Sequence, residues 1–166
     1  MEAISSRRLP DLRSIVGLLV AVLVCELVGI TAAVFTQTGL STWYQSLVRP
    51  DLAPPNWVFG PVWTTLYALM GAAVWLAWRN GRGRARTVAV GLFALQLALN
   101  FAWSFVFFGA GEILGALAVI VALLLAIVAT MGAFWRIDRR ATYLMVPYLA
   151  WVAFATYLNY GFWVLN

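Results

Sequence analysis

The sequence predicts an all-α membrane protein: a bundle of five transmembrane helices with a lid-like loop between helices 1 and 2, forming one domain over residues 1–166. Three observations carry that prediction. First, 64% of the residues are hydrophobic and 10% charged, with a mean hydropathy of +0.89, whereas a soluble domain carries about 25% charged residues. Second, five continuous apolar runs cover residues 14–36, 57–78, 87–108, 113–135 and 141–164, each near the roughly 20 residues that cross a bilayer. Continuity rather than alternation excludes a β-barrel. Third, the basic residues are segregated.

All 11 basic residues are Arg. Arg7, Arg8 and Arg13 precede the first run, Arg79, Arg82, Arg84 and Arg86 separate the second and third, and Arg136, Arg139 and Arg140 separate the fourth and fifth. Ten arginines thus fall on one side and only Arg49 on the other. That asymmetry puts the N-terminus in the cytoplasm and the 37–56 loop and C-terminus outside, in a membrane inserted from the cytoplasm. The formal charge of +5 is therefore a topology signal with some anionic-lipid contact, and no nucleic-acid partner is expected.

Run 1 has a basic flank, but its apolar stretch is too long for a signal-peptide core, so an uncleaved span is expected. Glu26, near its middle, is the only acid deep in any run. Two readings stand: a neutral, hydrogen-bonded structural group, or a functional ionisable group of the kind found in proton-coupled exporters. Between runs 1 and 2, residues 43–67 join a Trp-Tyr pair, an Arg-Pro-Asp turn and a double proline to a helix bearing Trp57, Trp63 and Tyr67. Pro54 and Pro55 stiffen the approach, Asn56 is placed to cap the helix, and Pro61 requires an irregular opening turn or a start near Gly60. Trp63 and Tyr67 then share a face.

In run 3, Gln96, Asn100, Trp103 and Phe107 follow i, i+4, i+7, i+11 and share a stripe. Amides in hydrocarbon need partners, so this stripe points into the bundle. They serve either as interhelical hydrogen bonds, worth about 0.6–2 kcal/mol each, or as ligand contacts. Gly111 and Gly115 form a small-xxx-small pair at the start of run 4, and Ala122, Ala126, Thr130 and Ala133 extend a small-residue stripe along it, permitting close helix approach within the chain or between chains and a homodimer through helices 3 and 4. Run 5 repeats the stripe with Tyr148, Trp151, Ala155 and Asn159. Ala155 leaves a gap for a neighbouring helix or a flat ligand, and Pro147 frees the Tyr143 carbonyl. Trp75, Trp78, Trp135 and Trp163 lie where interfacial belts form, whereas Trp63 and Trp151 lie further in.

Several functions are excluded. Cys25 is the only cysteine and there is no His, which removes an internal disulfide, a zinc cluster and histidine ligation of haem. No nucleotide-binding glycine loop occurs. Five spans cannot divide into two equal inverted halves, which counts against the common secondary-transporter plan. No acid–base pair or cofactor motif supports conventional catalysis, and no cofactor is required.

The segments WY (43–44), RPD..PPNWVFGPVWT.LY (49–67), LALNFAWSFVFF (97–108) and PYLAW..FATYLNY (147–160) resemble the translocator protein family, also called tryptophan-rich sensory proteins or peripheral-type benzodiazepine receptors. The resemblance implies a five-helix bundle, often dimeric, with a pocket closed at one end by the loop after helix 1. It implies ligands such as protoporphyrin IX and haem, sterols in some members, and synthetic isoquinoline carboxamides and benzodiazepines. Carried over by motif, the pocket is lined by Tyr44, Pro54, Trp63, Tyr67, Asn100, Trp103, Phe107, Trp151 and Ala155. The family positions matching Trp63 and Trp151 are implicated in light-driven porphyrin breakdown. No Lys or Arg follows Tyr157 or Tyr160, which argues against a sterol-recognition pattern in run 5. The expected function is a membrane receptor or transporter-like protein for porphyrins, with a sensory or tetrapyrrole-regulatory role. Light-dependent porphyrin degradation and proton-coupled export through Glu26 are the alternatives. Arg49 is either a partner for a propionate or a surface turn charge.

Overall fold

The computed structural model describes residues 11–41 and 43–166, and residues 38–41 by their backbone alone. Arg7 and Arg8 of the arginine asymmetry lie outside the described residues, as does Thr42 of the loop. Among the described residues, all regular structure is helical: α1 Leu12–Ser41, α2 Trp43–Ser46, a 3-10 turn Asn56–Val58, α3 Phe59–Asn80, α4 Gly83–Ser104, a π turn Phe105–Gly109, α5 Ile113–Trp135 and α6 Arg139–Leu165. Five helices are long and apolar enough to cross a membrane. This is a multi-pass integral membrane protein.

The long helices form a ring. α1 packs on α3, α3 on α6, α6 on α5 and α5 on α4, and α4 returns to α1 and α3. Without a hydrophobic driving force between helices in lipid, close approach of small residues supplies the packing. Ala73, Ala77, Ala89, Ala116 and Ala141 are fully buried. The α1–α3 crossing depends on glycine: a methyl on Gly71 would come 2.5 Å from the Val22 Cα, and one on Gly29 would collide with the Tyr67 ring.

Two local details, at Asn56 and Gly111, differ from expectation, while the 3-10 turn Asn56–Val58 and the start of α3 at Phe59 meet the one set by Pro61. Asn56 does not cap α3; the helix begins from Val58 without a side-chain cap, because the Asn56 amide oxygen faces the Arg49 guanidinium at 3.5 Å. Pro61 sits in the first turn of α3, where its missing N–H has no carbonyl to meet. Gly111 is not part of a helical small-residue stripe. It lies in the turn before α5 with φ +71°, a conformation that favours glycine, and Trp43 packs where a Cβ would stand, 3.2 Å away. Of the rest of that stripe, Ala126 and Thr130 are buried inside the bundle and Ala122 is exposed.

Candidate functional site

The connection from α1 to α3 builds the cover. Trp43 rests on Phe107 with ring centroids 5.4 Å apart, and the next residue, Tyr44, is 2% exposed. The Ala53 N–H donates to the Pro50 carbonyl at 2.9 Å, closing a turn around Asp51 and Leu52. Pro50 is seated on Gly161 of α6, where a Cβ would meet its ring at 2.9 Å. The Asn166 side chain joins the same loop, accepting from the Val48 N–H at 2.8 Å and donating to its carbonyl at 3.1 Å.

Arg49 pins this loop from within. Its guanidinium lies over the Tyr44 ring, 5.0 Å from the centroid, and donates to the Pro54 carbonyl at 2.9 Å. It also reaches the Tyr44 hydroxyl at the outer limit of 3.5 Å. Burial raises the Tyr44 phenol above its ordinary pKa and the Arg49 charge works against that rise. No carboxylate pairs with Arg49 among the described residues. Its charge is therefore structurally engaged and still unneutralised.

Beneath the cover the expected pocket residues divide into two groups. One encloses a cavity of about 120 Å³ between α1, α3 and the end of α4, lined by Glu26, Trp63, Tyr67 and Ser104 among others. Glu26 is the only charged group in that lining and has no ion-pair partner among the described residues. The other group, Tyr44, Trp103, Phe107, Trp151, Ala155 and Asn159, surrounds about 20 Å³ of empty space, so the gap expected over Ala155 is almost filled. Phe59 lines both cavities.

A hydrogen-bonded chain separates and braces the two groups. The Tyr67 hydroxyl donates to the Asn100 amide oxygen at 2.6 Å, and the Asn100 amide donates to the Tyr148 hydroxyl at 3.0 Å. Asn100 thus ties α3, α4 and α6 together. Nearer the cover, the Trp103 indole donates to Asn159 at 3.0 Å, and Asn159 donates to the Ile113 carbonyl at 2.9 Å. Gln96 shares the stripe but not the bonding: it is fully buried, and neither amide atom has a partner among the described residues. An amide left so costs about 1–3 kcal/mol. Arg49, Pro54, Gln96, Asn100 and Tyr148 line neither cavity.

The π turn supplies what helical periodicity could not foresee. The Ala110 N–H donates to the Phe105 carbonyl, five residues back, at 2.8 Å. The extra residue in that turn lets Phe107 and Phe108 both point inward, 4.8 Å apart. Phe108, Phe59 and Phe162 are wall residues absent from the expected set. The adjacent Phe-Phe pair was the one available signal for Phe108, and Phe162 lay one helical turn past Asn159, near the end of the run-5 stripe.

Comparison with known proteins agrees with this architecture. A sequence profile of the TspO/MBR family matches residues 21–164. The chain is similar to the tryptophan-rich protein TspO of Archaeoglobus fulgidus, at 38% identity over 92% of this chain and 99% of the relative. It is similar to the human translocator protein at 44% identity over 73% of each chain. The tryptophan-rich sensory protein of Cereibacter sphaeroides is 44% identical over 75% of this chain and 77% of its own length. The chain, with its covered aromatic bundle end, belongs to the TspO/MBR family.

Proposed function

We propose that this protein binds porphyrins, such as protoporphyrin IX and haem, and related flat apolar ligands at the covered end of the bundle. There it acts as a receptor or transporter-like protein with a sensory or tetrapyrrole-regulatory role, its arginine-rich end facing the cytoplasm. The observation that carries the reading is the pair of aromatic cavities meeting at Phe59, walled by Trp63 and Tyr67 on one side and Trp103 and Trp151 on the other. Aromatic faces with a few fixed amides suit recognition by shape and stacking. Drug-sized pockets enclose about 300–1,000 Å³, so the cavities of about 120 and 20 Å³ must merge to accept a tetrapyrrole. That requires Phe59 to turn and the loop over Tyr44 to lift, which links occupancy to loop position. Arg49, unneutralised at the loop, is placed to attract a propionate.

Titration of the protein in lipid nanodiscs with protoporphyrin IX, read by Trp fluorescence, tests this. Saturable quenching is expected, with Trp63→Leu and Trp151→Leu each weakening affinity about fivefold or more. With no His in the chain, iron and free-base porphyrin should bind comparably. Quenching no greater than in empty nanodiscs with free Trp added would overturn the reading.

A second reading rests on Glu26. An unpaired carboxyl lining the α1–α3 cavity is a coupling group for proton-linked export. Porphyrin flux from liposomes that responds to a proton gradient, and loses that response in Glu26→Gln, would support it; flux equal to empty liposomes would remove it.

A further inference from the structure

The arginine-rich end holds a cavity that porphyrin binding leaves unused. It is an open cleft between the start of α1, the end of α3 and the first turns of α4, with a volume of about 620 Å³. Its walls are of two kinds. Arg13, Arg79, Arg86 and Ser14 form the outer part, whereas Val20, Ala21 and Val74 form an apolar part. A helix advances 1.5 Å per residue, so Ala21 lies about 10 Å deeper along α1 than Ser14. The apolar wall therefore runs from the charged rim toward the middle of the membrane.

The rim is built rather than merely populated. Arg79 lies over the Trp75 ring at 5.2 Å and donates to the Ser14 hydroxyl at 2.9 Å. Arg86 lies over the Trp78 ring at 5.0 Å and its Nε donates to the Gly81 carbonyl at 2.8 Å. Trp75 is itself seated against Gly17, where a methyl would come 3.1 Å from the indole nitrogen. An arginine has five N–H donors, and these bonds engage one in each side chain. Among the described residues, Asp11 is the only acid in the lining, and the one ion pair is Arg140–Asp138, elsewhere. Among the described residues, three guanidiniums thus share the cleft with one carboxylate that has no ion-pair partner.

The geometry points to a binding site for an anionic phospholipid, its phosphate among Arg13, Arg79 and Arg86 and an acyl chain along Val20, Ala21 and Val74. A phosphate ester is the shared chemistry, but a free phosphate fits only the rim, while a lipid uses both walls. Arg139 over Trp135 at 4.8 Å repeats the cation–π pair outside this cavity and provides an internal control.

The test uses the full-length protein in neutral detergent, incubated with equal amounts of phosphatidylglycerol and phosphatidylcholine, with retained lipid read by native mass spectrometry. The unaltered chain should retain phosphatidylglycerol over phosphatidylcholine by about tenfold or more, given about 1 kcal/mol per guanidinium near the surface. The pair Arg79→Gln, Arg86→Gln should lose that preference, and Arg139→Gln should keep it. Val20→Trp, which leaves the charge unaltered, should also reduce retention by filling the apolar wall. Equal retention of the two lipids, or full preference in the double variant or in Val20→Trp, overturns the proposal. Displacement of phosphatidylglycerol by millimolar inorganic phosphate would overturn the lipid and assign the rim to a free phosphate ester; undisturbed retention supports the lipid.

Discussion

The two ends of the bundle use the same residue types to opposite effect. At the arginine-rich end, Trp75, Trp78 and Trp135 each carry a guanidinium, at 5.2, 5.0 and 4.8 Å from the ring. At the covered end the rings meet one another instead: Trp103 stacks on Phe107 at 5.7 Å, and Phe107 meets Phe108 edge-to-face at 4.8 Å. The single guanidinium there, Arg49, lies over the buried ring of Tyr44. The first end keeps an open cleft of about 620 Å³; the second retains about 120 and 20 Å³. Charged heads that seek water hold an aromatic surface open, whereas a chain folded over aromatic rings lets them close on each other. The lipid proposed for the open end would need no rearrangement, and the porphyrin proposed for the covered end would have to displace protein from itself.

Substitutions separate the two ends. The largest effect is expected at the joint between them. Gly71→Ala drives a Cβ into the Val22 backbone, and overpacking of this kind costs about 1–3 kcal/mol. Thermal unfolding in detergent should show a lower midpoint, with both ends affected together. Asn100→Leu acts on the covered end: the Tyr67 and Tyr148 hydroxyls lose their common partner, at about 1–2 kcal/mol. Gln96→Leu, one turn away, should raise the midpoint, because it removes two buried atoms that have no partners among the described residues. If both substitutions destabilise alike, the Tyr67–Asn100–Tyr148 chain is not what braces this end.

Arg49→Gln is narrower still. Losing the contact with Tyr44 and the bond to the Pro54 carbonyl should loosen the loop by about 1–2 kcal/mol. Limited proteolysis within residues 47–56 should speed up while the global midpoint stays nearly fixed. The smallest effect belongs to the other end. Asp138 caps α6 through the Arg140 N–H at 2.9 Å and accepts from Asn80 at 2.6 Å. The hydrogen bond from the Arg140 side chain is the main cause holding its carboxyl below the ordinary range. Its folded pKa being depressed, the stabilisation is full above the ordinary carboxylate pKa and is lost as pH falls through the lowered value. Asp138→Ala should cost about 1 kcal/mol at neutral pH and flatten that acid limb. An unchanged acid limb would show that the Asp138–Arg140 contact contributes nothing to folding.

Much of this architecture was legible in the sequence because the bilayer imposes length and composition on each span. The run at 113–135 coincides with α5, Ile113–Trp135. Elsewhere the edges moved: α1 continues to Ser41, and run 3 ends in a π turn rather than an α-helix. Periodicity of 3.6 residues has no means of announcing one extra residue in a turn, so Phe107 was expected inside and Phe108 was not. The amides of run 3 show a second limit. Gln96 and Asn100 are the same chemistry on the same stripe, yet only Asn100 meets Tyr67 and Tyr148. Spacing along one helix specifies a face; it does not specify who stands opposite.

The sequence by itself determined that the chain spans a membrane five times, which loop is long, and which stripes point inward, since these follow from hydropathy and from the cost of unsatisfied polar groups in lipid. Tertiary structure alone decided that Gly71 and Gly29 set the α1–α3 distance, that Phe59 parts two cavities, and that Arg79 and Arg86 share one cleft. Those outcomes depend on contacts between residues far apart in the chain, where a few tenths of an ångström separate a close fit from a collision.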